Sequence, residues 1–103
     1  MKTRIEKLEE FVAQDPGDAF SRYVLALEFA KAGREDDAAL QFKEVIARES
    51  SYVAAYYQLG RLLTKAGHAE DARDVYRRGL DAADAALDQR TRSELQEALD
   101  ALG

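Results

Sequence analysis

Residues 22–33, Arg22-Tyr-Val-Leu-Ala-Leu-Glu-Phe-Ala-Lys-Ala-Gly33, return as residues 56–67, Tyr56-Tyr-Gln-Leu-Gly-Arg-Leu-Leu-Thr-Lys-Ala-Gly67. The two stretches lie 34 positions apart, and the same offset relates Asp37 to Asp71 and Ala38 to Ala72. A period between roughly 20 and 50 residues marks units that cannot bury an apolar face alone and must stack on copies of themselves. The function expected of such a chain is to present a surface.

Working outward from the repeated stretch, apolar residues recur at spacings of three and four, and the only proline is Pro16. That spacing predicts helices throughout and no strands. A first helix carries the stripe Ile5, Leu8, Phe11 and Val12 and stops before Asp15-Pro16, because the residue preceding a proline resists the helical region. Asp18 caps a second helix that runs from Ala19 to Ala32 and ends at Gly33, the residue type best suited to a left-handed C-terminal cap. A third spans Glu35 to Arg48; its acidic first turn suits the helix dipole, and it buries Ala38, Phe42, Val45 and Ile46.

Ser51 is the expected cap of a fourth helix that closes at Gly67. A fifth runs from Ala69 into Ala82 to Ala86. The break after it is placed at Asp88-Gln89-Arg90, with Thr91 and Glu94 as a capping box for a last helix striped by Leu95, Ala98, Leu99 and Leu102. The reading is all-α, about six helices in one domain: a leading helix in 1–17, hairpins in 18–50 and 51–84, and a trailing helix in 85–103.

Composition narrows the function classes. With 15 Lys and Arg against 20 Asp and Glu, the net charge is −5. Nucleic acid and anionic membrane both require clustered positive charge, so neither is an expected partner. The chain has no cysteine, hence no disulfide, thiol nucleophile or thiolate metal site, which fits a reducing cytoplasm. Residues 1–10 are too charged for a signal peptide. No apolar run approaches the roughly 18 residues of a membrane span. His68 is the lone histidine, placed in a turn with no second group at fixed spacing, so no catalytic residue is assigned. Asp81, Asp84 and Asp88 lack the glycine turn and closing glutamate of a calcium loop and read as a solvated face. No metal and no cofactor are expected.

Tyr56-x2-Leu59-Gly60-x2-Leu63 followed by Ala72-x3-Tyr76 resembles the tetratricopeptide repeat pattern, and Arg22-x2-Leu25-Ala26-x2-Phe29 with Ala38-x3-Phe42 is the earlier copy. Arg22 stands where the pattern has an aromatic, and Ser50 and Asp84 stand where it has proline. The small residues Ala26, Gly60, Ala38 and Ala72, with Gly79, are placed where two helices approach closely. The resemblance implies a superhelix of stacked antiparallel hairpins whose first helices line a concave groove. Carried onto this chain, the groove positions are Phe20, Tyr23, Leu27 and Ala30 in the first copy and Ala54, Tyr57, Arg61 and Thr64 in the second.

Residues 19–30 are apolar on nearly every side, so something must cover Phe20, Tyr23 and Leu27. Three covers stay open: the leading helix, a bound peptide or a second copy of the chain in a homodimer. The expected function is non-catalytic binding of a protein or peptide partner in an apolar groove, with Phe20, Tyr23, Leu27, Tyr57, Arg61, Thr64 and Lys65 as contact residues; self-association through that groove is the alternative. Arg61 and Lys65, one turn apart, suit an acidic group on a partner. The Lys and Asn clamp by which some members of the resembled family grip a terminal carboxylate is missing, because its positions hold Tyr23, Leu27 and Gln58.

Overall fold

The computed structural model covers residues 1–103 and contains six α-helices: α1 Arg4–Gln14, α2 Ala19–Lys31, α3 Glu35–Arg48, α4 Val53–Lys65, α5 Ala69–Ala86 and α6 Gln89–Ala101. They fall into two compact units, Met1–Glu49 and Ser50–Gly103.

In the first unit α2 packs on α3, and α1 packs on α2. Leu25, Ala26, Phe29, Ala38, Phe42, Val45 and Ile46 are buried, the set that helical periodicity selects. α1 is started by a reciprocal box: the Glu6 amide donates to Thr3 Oγ1 at 3.1 Å and the Thr3 amide to Glu6 Oε1 at 3.2 Å. None of its residues is fully buried. Ile5, Leu8 and Val12 are half-buried, whereas Phe11, expected in the same stripe, is 58% exposed. Only one side of α1 meets α2, and Phe11 lies at the margin of that narrow stripe.

Arg22, the departure from the aromatic pattern, is explained by the fold. In the second unit its counterpart Tyr56 donates from its hydroxyl to the Ser50 carbonyl oxygen at 2.6 Å. Arg22 reaches the equivalent carbonyl, that of Pro16, with Nη2 at 3.2 Å, and donates from Nη1 to Gln41 Oε1 at 2.9 Å. A different side chain thus makes the same tie between a helix and the chain entering it. The tie leaves a guanidinium only 8% exposed, with Nε unpaired. A buried cation held by neutral acceptors is costly to desolvate. Arg22→Tyr is therefore expected to keep the bond to Pro16 and to raise stability by about 1 kcal/mol. Arg22→Ala should lower it, and the two melting temperatures would lie on opposite sides of the wild type.

In the second unit α4 packs on α5, and α6 packs on α5 and more lightly on α4. The core is Val53, Ala55, Tyr56, Leu59, Ala72, Val75, Tyr76, Ala83 and Leu95. Gly79 allows this packing, since a Cβ there would lie 2.7 Å from Tyr56 Cβ and 3.0 Å from a Leu95 methyl. α4 begins at Val53 with Tyr52 as the N-cap and no side-chain capping bond, so Ser51 is not the cap. α6 begins two residues before the expected Thr91: Asp88 is the cap and accepts from the Thr91 amide at 3.0 Å. A hydrogen bond with the Thr91 hydroxyl, and then this amide bond, hold the Asp88 carboxyl below its usual range. Thr91 is the partner of the capping group and not its source.

The turns repeat bond for bond. The Arg34 amide donates to Phe29 O and the His68 amide to Leu63 O, both at 2.8 Å, closing left-handed caps at Gly33 (φ 81°) and Gly67 (φ 85°). The same pattern ends α5, where the Asp88 amide donates to Ala83 O at 2.9 Å, but the left-handed position is Leu87 at φ 57°. Left-handed backbone costs a non-glycine residue about 1–2 kcal/mol. Leu87 is 87% exposed and has little burial to lose. Leu87→Gly is expected to stabilise the chain by about 0.5–1 kcal/mol after the entropy cost of glycine, raising the melting temperature by several degrees; an unchanged or lower value would contradict the strain at this cap.

Candidate functional site

In the first unit the expected contact residues share α2. Phe20, at its start, is 64% exposed, beyond an N-terminus closed by Asp18, which accepts from the Phe20 amide at 3.2 Å and the Ser21 hydroxyl at 2.6 Å. One turn on, Tyr23 is half-buried, with its ring edge-on to Phe42 at 5.6 Å between centroids and 61° between planes. Tyr23 is thus part of the wall of the core as well as of the surface. Leu27 and Ala30 continue the face, both half-buried. α1 packs on α2 and is tied to it by an ion pair between Arg4 and Glu28 at 2.9 Å, yet it does not cover Phe20.

In the second unit the expected residues lie on α4 at the same register. Tyr57 and Ala54 are half-buried. The Arg61 guanidinium lies 5.7 Å from the centroid of the Tyr57 ring, within cation–π range. Arg61, Thr64 and Lys65 come together with Tyr76, Ala98, Ala101 and Leu102 around a recess of about 320 Å³. The Thr64 hydroxyl donates to the Gly60 carbonyl oxygen at 2.8 Å, so it belongs to the helix more than to a ligand. Burial pushes the Tyr76 hydroxyl above the usual tyrosine value. Hydrogen bonding with Thr64 pulls it back, nearby Tyr57 adds to the rise, and Arg61 opposes it. The Tyr76 ring rests on Gly60, where a Cβ would lie 2.2 Å from Tyr76 Cε1.

Gly60, Thr64 and Tyr76 replace Ala26, Ala30 and Phe42 of the first copy, and the three differences make one local arrangement. The α6 residues of the recess were not among the expected contacts. The signal for them was the period itself: one further step of 34 carries Thr64 to Ala98.

The remaining polar candidates serve the fold. Asp84 pairs with Arg92 at 2.6 Å, Asp88 caps α6, and the side chains of His, Asp and Glu form no group that could hold a metal ion. Arg73 pairs with Glu70 and donates to the carbonyl oxygens of Leu102 and Gly103 at 3.0 and 3.2 Å, tying the end of α6 to α5. Arg78 lies over the Tyr56 ring at 5.7 Å. His68 is exposed and makes no side-chain capping bond. No helix is long and apolar enough to cross a membrane.

The profile of the tetratricopeptide repeat family matches residues 1–83. The chain belongs to that family. Its repeats are also similar to a solved tetratricopeptide repeat domain protein from Salinibacter ruber, 35% identical, with a TM-score of 0.80 over 82% of this chain and 96% of that one. A solution structure from Bordetella parapertussis is 29% identical with a TM-score of 0.83, covering 99% of this chain and 89% of that one. MamA, at 21% identity and a TM-score of 0.72 over 95% of this chain and 64% of that one, shares the fold. Among curated proteins there is no match. Tetratricopeptide repeats are helix hairpins used in tandem, typically as non-catalytic protein-interaction and scaffold modules. Arg22, which departs from the repeat pattern, and the Gly60–Thr64–Tyr76 set, by which the second copy differs from the first, are each accounted for by packing within one unit.

Proposed function

We propose that this tetratricopeptide repeat protein is a non-catalytic interaction module for a partner protein, with the apolar face of α2 as the contact surface of the first unit and that of α4 as the contact surface of the second. The observation that carries the reading is Phe20, 64% exposed at the head of a helix that already buries its opposite side. An aromatic side chain left in water beside half-buried Tyr23 and Leu27 is an unfilled contact. Aromatic residues and arginine dominate the energetics of interfaces, and Tyr57 and Arg61 supply the same chemistry on α4.

The cleanest test uses Phe20. Because Tyr23 also supports Phe42, Tyr23→Ala would mix lost binding with lost packing, whereas Phe20→Ala should change stability by no more than about 0.5 kcal/mol. We expect affinity capture from the native cell extract to recover a partner with the wild type and to lose most of it with Phe20→Ala, at unchanged helicity. Capture that survives Phe20→Ala together with Tyr57→Ala would overturn the assignment of these faces.

Self-association is the second reading, favoured by two further exposed apolar side chains of the first unit, Phe11 and Leu40. Light scattering over a concentration series separates the two. A dimer that persists at micromolar protein and dissociates on Phe20→Ala would assign the face to a second copy of the chain.

A further inference from the structure

The α4 recess is more specific than an apolar face. We infer that it takes one apolar side chain of a partner segment that carries a carboxylate within a turn of that side chain, an inference that rests on the interaction-module reading above. The volume of about 320 Å³ is at the small end of ligand sites and suits a single leucine- or phenylalanine-sized group. Its lining is mostly carbon. The polar atoms of its floor are already served, since the Thr64 hydroxyl donates to Gly60 O at 2.8 Å and the Tyr76 hydroxyl is hydrogen-bonded with Thr64. An incoming apolar group therefore gains burial without stranding a donor or acceptor.

The rim selects the charge. Arg61 is exposed and lies within cation–π range of the Tyr57 ring, a contact that takes up none of its N–H donors and leaves them to a carboxylate. Lys65 also lines the mouth. Arg73, the next cation, is turned to Glu70 and to the last carbonyl groups of the chain. In a chain of net charge −5, the Arg61 guanidinium at this mouth favours an acidic partner over a basic one. The first unit has no equivalent, because the position of Arg61 is Leu27 there.

The test is an NMR titration of the full chain with a capped peptide, Ser-Glu-Glu-Leu-Glu-Ser, and three relatives in which Gln replaces Glu, Lys replaces Glu, or Ser replaces Leu. We expect shifts concentrated at Tyr76, Ala98, Leu102 and Arg61, with the Glu peptide binding tightest and the Lys and Ser peptides weakest. Arg61→Gln should weaken the Glu peptide about threefold to fivefold and leave the Gln peptide unchanged. Ala98→Leu, which fills the recess, should abolish binding of both. Equal affinities for the Glu and Lys peptides, or no perturbation at the recess, would overturn the inference. Should the shifts map to Phe20 and Leu27 instead, or should a native partner be lost on Phe20→Ala while the peptides ignore the recess, the interaction-module reading stands and only this inference falls.

Discussion

Leu95→Ala is expected to cost about 3–5 kcal/mol and to release the last helix from the second unit. Leu95 is 0% exposed and is the only buried residue of α6. Its methyl groups approach Gly79 so closely that a Cβ there would lie 3.0 and 3.2 Å from them. Truncation leaves a cavity that neither the small side of α5 nor the mostly polar α6 can fill. Small domains have total stabilities of about 5–15 kcal/mol, so this single change removes a large fraction. Chemical denaturation should show the loss, and amide exchange should show α6 opening before α4 and α5. A loss below about 1 kcal/mol, with α6 amides as protected as before, would mean that α6 is held by something other than Leu95. Loss of the docked helix also removes Ala98 and Leu102 from the recess, so peptide binding there should disappear in parallel.

Gly60→Ala is expected to destabilise the chain by about 2 kcal/mol, although alanine is the better helix former. Exchanging glycine for alanine within a helix is worth about 1 kcal/mol in its favour. Against it stands the Tyr76 ring, three of whose carbons would lie 2.2–2.6 Å from the new Cβ. Tyr76 is 2% exposed and its ring rests on Gly60, so the ring must shift to make room for the methyl. Overpacking of this kind costs about 1–3 kcal/mol, and the contact is among the closest such a substitution creates. Tyr76→Leu in the Gly60→Ala background should recover 1 kcal/mol or more, because the leucine removes the ring that the methyl meets. Additive effects of the two changes would refute the clash as the cause. The first copy already carries Ala26 at this position, with Phe42 in place of Tyr76.

Much of the architecture was legible in the chain. Residues 22–33 and 56–67 carry the period, the three-and-four spacing places the helices, and Gly33 and Gly67 mark the turns; each is a local rule, met within a few residues of backbone. Asp18 could be read as a cap for the same reason. The boundary of α6 was misplaced because two capping signals, Asp88 and Thr91, lie three residues apart, and local preference does not say which is used. Geometry favours Asp88, since Leu87 ahead of it takes the left-handed conformation that ends α5.

The candidate site was legible as register but not as shape. Repeat positions and charge point to Phe20, Tyr23, Leu27, Tyr57, Arg61, Thr64 and Lys65. Only the folded chain distinguishes them: Phe20 stands in water, Tyr23 braces Phe42, Thr64 bonds its own helix, and Arg61 guards a recess whose other wall comes from α6. Those distinctions depend on residues tens of positions away, brought near by helix packing. The sequence alone thus specified helices, period and turns, because backbone geometry repeats every few residues. Tertiary structure decided that Arg22 does the work of a tyrosine, that Phe11 lies outside the core, and that Gly60, Thr64 and Tyr76 act together. Each of these depends on distances across helix interfaces, which no local pattern encodes.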